Sequence, residues 1–164
     1  MGRTATRGGT QHSLHSRWST FSIGSTRLMR VETRGRARAL QALYAWDLRD
    51  GEDLNRVAVK IWDDLAVSAE ERKFAGGIVR TVASAHEELD AALTEVTSNW
   101  RLERLGAVER SVLRLGAAEL RRGEAPPRVI IQEAVRLAER FGTAASARFV
   151  NGVLDAYARR TGAL

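Results

Sequence analysis

From Glu32 onward the apolar residues of this chain recur at helical spacing, and no segment sustains the two-residue alternation of a half-buried strand. That pattern excludes a sheet and predicts an all-α fold. Residues 33–49 place Leu40, Leu43, Tyr44 and Leu48 on one face before Gly51 and Asp53 break the period. Residues 54–66 repeat it with Leu54, Val57, Ala58, Ile61, Trp62 and Leu65. Ser68-Ala69-Glu70-Glu71 reads as a capping box that opens a helix running to about Thr97. Its apolar face is Phe74, Ile78, Val82, Ala85, Leu89, Leu93 and Val96. Residues 101–105 predict a short helical turn. Residues 107–121 carry Val108, Val112, Leu113, Leu115 and Leu120, a face too wide for a surface helix, so this helix is expected to be central. Gly123 ends it, and Pro126-Pro127 start another that runs to about Arg140. Thr143 caps a last helix over 144–160, with Phe149, Val150, Val153, Leu154 and Tyr157 at helical spacing. This helix holds Asn151-Gly152, a pair that normally marks a turn. Glycine inside a helix costs roughly 1 kcal/mol against alanine. The expectation is that Gly152 lies on the apolar side and lets another backbone come close.

A length of 164 residues suits one domain, or two small ones sharing a core. The absence of cysteine excludes disulfides and thiolate metal sites. No segment approaches the roughly 18 apolar residues of a membrane span. A net charge of +6 points to a polyanionic partner, but the charge is uneven. Residues 1–31 hold five arginines and no acid, which leaves 21 basic against 20 acidic residues in 32–164. Evidence for nucleic-acid binding in the folded part therefore has to come from local patches. The 24 arginines to 2 lysines suit bidentate phosphate contacts, although a genome-wide composition bias produces the same ratio. Residues 1–31, with Gly, Ser, Thr and Arg in no period, are expected to form a disordered basic extension. Three origins compete for it: an RNA-touching arm, a transit peptide, or translation read from too early a start, with Met29 the true first residue. The last is the expectation here. Residues 32–164 then form the helical domain.

No catalytic constellation emerges. His12 and His15 lie in the loose extension, and His86 sits in the long helix with an expected structural role. No HExxH, Walker A or GxGxxG motif is present. The pairs Asp63-Asp64, Glu70-Glu71 and Glu87-Glu88 point about 100° apart on a helix and do not converge as acid and base. The chain is read as a non-enzyme without a cofactor. The best nucleic-acid signal is Arg34, Arg36 and Arg38. Arg34 and Arg38 share a face one turn apart, Gln41 follows, and Arg30 extends the strip. The guanidiniums suit phosphates, and Gln41 suits a base edge. Cations are unfavourable at the start of a helix, so these charges are expected to do little for the fold. Arg128 and Arg148, each near a helix start, are weaker candidates and read equally as ordinary surface charges. Glu103 and Glu109 flank Leu105-Gly106. Glu109 either complements the helix dipole, worth about 0.3–1 kcal/mol, or docks a basic partner. Glu133, among apolar residues, reads as a buried structural carboxylate.

Several of these segments together resemble the NusB family of bacterial transcription antitermination factors. They are Arg34-Gly35-Arg36, Leu40-Gln41-Ala42-Leu43-Tyr44, Val108-Glu109-Arg110, Glu119-Leu120, Gln132-Glu133-Ala134, Leu137-Ala138, Phe141-Gly142 and Phe149 to Asp155. The match spans roughly Glu32 to Tyr157. The resemblance implies two packed three-helix-type subdomains in a compact bundle, and a cytoplasmic protein. It implies binding to the boxA element of nascent ribosomal RNA together with the ribosomal protein NusE, within the RNA polymerase antitermination complex. It places RNA on Arg34 and Arg36, with support for Arg128 and Arg148, and NusE on Glu103 and Glu109. The chain departs from the family at Thr33 and Gly35, where a denser arginine run is usual. It departs again at Gln132 in place of Asn, and at Thr143-Ala144-Ala145 in place of acids. Two rival classes remain open: the NusB-like domain of a ribosomal RNA cytosine methyltransferase, and a helical adaptor that never touches RNA.

Overall fold

Capping side chains decide where three of the helices begin. The carboxylate of Asp53 accepts the Arg56 amide at 3.0 Å, and Ser68 Oγ accepts the Glu71 amide at 3.2 Å. Thr143 Oγ1 accepts the Ser146 amide at 3.1 Å while Ser146 Oγ accepts the Thr143 amide, a reciprocal box. In the computed structural model, which describes residues 30–97 and 101–164, the helices are α1 (Val31–Asp47), α2 (Leu54–Asp64), α3 (Ala69–Val96), α4 (Ala107–Arg122), α5 (Pro127–Phe141) and α6 (Ala144–Arg160). A 3₁₀ turn covers Leu102–Arg104. No strand occurs among the described residues. The basic extension, with His12 and His15, lies outside them except for Arg30 and Val31.

Val31–Leu164 forms one unit. Helices α1, α2 and α3 pack on one another, and so do α4, α5 and α6. The two triplets join through α4, which meets α1 and α3 as well as α5 and α6. Burial explains this central place. Val112, Leu113, Leu115, Ala117 and Ala118 of α4 are all fully enclosed, and each large side chain contributes about 1.5–3 kcal/mol. Gly116 lets α6 come near, since a Cβ there would lie 2.6 Å from Leu154 Cδ1.

Three expectations need correction, and one helix is bent. Leu48 falls one residue beyond α1 and is exposed, and Leu65 is exposed at the end of α2. Helix α3 is bent: Ala85 has φ −134° and ψ 16°. Ser84 Oγ donates to the carbonyl of Thr81 at 3.2 Å, the acceptor a straight helix reserves for the Ala85 amide. The Gly77 carbonyl one turn earlier is drawn off by Thr81 Oγ1 and Arg122 Nη1. Gly152 does not pack against a backbone. It lies about 200° around α6 from buried Val150 and is exposed, with nothing within 4 Å of where a Cβ would stand. Gly152→Ala should therefore stabilise the protein by roughly 1 kcal/mol through helix propensity alone. Denaturant unfolding of the variant reads this directly, and a loss of stability would place a hidden contact at that position.

Candidate nucleic-acid interface

Helix α1 carries its three arginines to different partners. Arg34 and Arg38, one turn apart, both face Glu71 in the first turn of α3. Arg34 Nε donates to Glu71 Oε1 at 3.0 Å, and Arg38 Nε lies 3.9 Å from Oε2. Arg36 points the other way, about 200° around the helix. Its Nε donates to Glu119 Oε2 at 2.8 Å, and its guanidinium stands 5.1 Å from the Phe74 ring centroid. Both members of that pair are nearly sealed from solvent, at 4% and 6% side-chain exposure. The expectation that these charges do little for the fold is corrected, because Arg36 joins α1 to α4 and Arg34 joins α1 to α3. Burial lowers the pKa of Arg38, with the Arg34 charge in the same sense, and Glu71 offsets part of this.

Gln41 is buried, and its Oε1 accepts from Arg38 Nη1 at 3.2 Å. Arg30, Arg128 and Arg148 are exposed. Thr33 Oγ1 donates to Glu133 Oε1 at 3.2 Å, which lays the start of α1 beside α5, the helix whose second residue is Arg128. Glu133 is half-buried rather than enclosed, and also meets Arg136 at 3.7 Å. Gly35 has a local reason, since a Cβ there would lie 2.6 Å from Phe74 Cδ1.

The two acidic candidates differ. Glu103 is exposed in the 3₁₀ turn. Glu109 is half-buried in the first turn of α4 and accepts from Ser146 Oγ, so it ties the starts of α4 and α6 together. His86 packs edge-on against Trp46 with ring centroids 5.4 Å apart, the structural role expected of it. Among the described residues no group of His, Asp and Glu is arranged to hold a metal, and no helix is long and apolar enough to cross a membrane.

One network escaped sequence reasoning. Asp47, the last residue of α1, takes Arg110 Nε at 2.7 Å and Arg114 Nη1 at 2.8 Å. Arg114 also forks onto both oxygens of Asp90 at 2.9 Å and stands 5.3 Å from the Trp46 ring. Arg110 Nη1 donates to the Leu105 carbonyl at 2.8 Å and reaches those of Leu102 and Glu103, so the network also holds the turn that carries Glu103. Burial works against ionised Asp47, but the hydrogen bonds and charges of the two arginines more than offset it and hold its pKa below the usual carboxylate range. The available signal was a pair of arginines four apart, on one face of a helix whose middle is largely apolar.

The NusB family model matches residues 33–159. The chain belongs to the NusB family. It is 43% identical over 124 residues to the transcription antitermination protein NusB of Anaeromyxobacter dehalogenans strain 2CP-1, covering 75% of this chain and 87% of that protein. It is 43% identical over 135 residues to the NusB of Sorangium cellulosum, covering 82% and 96%. Its fold matches that of NusB solved with NusE and double-stranded RNA at a TM-score of 0.74 and 30% identity, over 81% of this chain and 99% of that one. The all-α architecture of two packed helical triplets is thus the NusB fold, as its helical spacing and motifs implied.

Proposed function

We propose that this chain is a transcription antitermination factor that binds the boxA element of nascent ribosomal RNA together with NusE and helps RNA polymerase resist termination in the cytoplasm. The observation that carries this is the match, over nearly the whole of that chain, to a NusB solved with both NusE and RNA. The two relatives at 43% identity are both antitermination proteins, which favours this reading over that of a methyltransferase. The protein acts by binding and not by catalysis. Phosphate contact belongs to the start of α1, through Arg34 and Arg38, and to the exposed Arg128 and Arg148. Arg36 and Gln41 support that face from beneath. NusE docks on the side of Glu103 and Glu109, where Glu103 is the outward group.

Two variants separate the partners. Arg34→Ala with Arg128→Ala should weaken all RNA sequences and flatten the log-log salt dependence by about one to two units, at about 0.7 per phosphate on single-stranded RNA. Glu103→Lys should lower NusE affinity and move stability by no more than about 0.5 kcal/mol, because the residue is exposed in a turn. Filter binding of boxA and scrambled RNA at several salt concentrations, with and without NusE, measures both. An unchanged slope in the arginine double variant would move the RNA surface elsewhere. Unchanged NusE affinity in Glu103→Lys would remove that turn from the partner surface.

A further inference from the structure

The arginines assigned to RNA already hold an anion that belongs to the protein. Arg34 and Arg38 approach one carboxylate from the same side, with Arg34 Nε at 3.0 Å from Glu71 Oε1 and Arg38 Nε at 3.9 Å from Oε2. That carboxylate is held in place. Ser68 Oγ donates to Oε2 at 3.1 Å, and the residue sits in the first turn of α3, where the helix dipole favours a negative charge. A carboxylate and a phosphate offer a guanidinium the same kind of acceptor pair. Of the two carboxylate sites on this helix, this one is the nearer to solvent: the Arg34 and Arg38 side chains are 18% and 11% exposed and Glu71 8%, against 4% and 6% for Arg36 and Glu119.

We propose that Glu71 sets the RNA affinity of this face by occupying the place at Arg34 and Arg38 that an RNA phosphate takes. Binding is then an exchange of one anion for another. The protein's carboxylate gives up the guanidiniums, remains held by Ser68, and the phosphate enters with release of its counterions. Glu119 plays no such part, because its pair with Arg36 is sealed between α1 and α4. The inference rests on the RNA-binding reading above.

Glu71→Gln tests it, because it keeps the size of the side chain and its hydrogen bond with Ser68 while removing the charge. Affinity for a single-stranded boxA RNA should rise roughly two- to fivefold, the range of a partly exposed ion pair. The salt dependence should stay as in the parent, because the same phosphate enters in both proteins. Glu87→Gln, an equal charge change at an exposed site on the same helix, should leave the affinity unchanged. In an Arg34→Ala background the gain from Glu71→Gln should fall by at least half, which a general charge effect or a folding defect would not reproduce. Equal or weaker binding by Glu71→Gln, or an equal gain from Glu87→Gln, overturns the proposal. A parent protein that binds no RNA at any salt overturns the RNA-binding reading itself, and this inference with it.

Discussion

Replacing Arg36 by alanine should lower the unfolding free energy by about 3–5 kcal/mol, the usual cost of stranding one member of a sealed ion pair. The carboxylate left behind is Glu119, 6% exposed in the central helix. Burial already raises its pKa, and Arg36 pulls it back only in part while Glu133 opposes ionisation from nearby. Without the arginine, Glu119 should take up a proton well above the normal carboxylate range. The variant should therefore lose least stability in acid and most at neutral pH. Arg36→Met with Glu119→Leu should recover most of the loss, since apolar replacement of a buried pair is often neutral or better. Arg34→Ala should cost less, since the Arg34 side chain is 18% exposed against 4% for Arg36, and Glu71 keeps Ser68 as a partner. Urea unfolding of the four proteins decides the matter. Equal costs at positions 34 and 36 would mean that the pair between α1 and α4 is not sealed.

Asp47→Asn should cost roughly 3 kcal/mol at neutral pH, because it leaves the guanidiniums of Arg110 and Arg114 facing a neutral amide in a half-buried site. The folded pKa of Asp47 is depressed, so its contribution is fully present above the unfolded value of about 3.9 and is lost as pH falls through the folded one. The gap between parent and variant should close in acid. A gap that stays constant down to the acid limb would show that Asp47 acts by shape and not by charge.

The helices were legible because their signals are local. Ser68, Gly123, Pro127 and Thr143 each end or begin a helix within a few residues of themselves. What was not legible joins distant segments. Arg36 and Glu119 lie 83 positions apart, and Asp47 and Arg110 lie 63 apart. No spacing rule connects them, so a helix-start arginine cluster read as a solvent-facing strip when one member was a brace between helices. Gly152 misled for a related reason. Its neighbours are apolar, but the angle around α6 places it on the far side, and the close approach is made by Gly116 instead.

The crowding above Gly35 ties the charge density of α1 to the size of a residue on another helix. Any side chain at 35 meets the Phe74 ring at the Cβ. An arginine run through this position thus requires a smaller residue at 74, which in turn takes away the ring that flanks the Arg36 guanidinium. Positions 35 and 74 should change together in the course of divergence. An attempt to strengthen RNA binding by engineering Gly35→Arg alone would spend the gain on displacing α3.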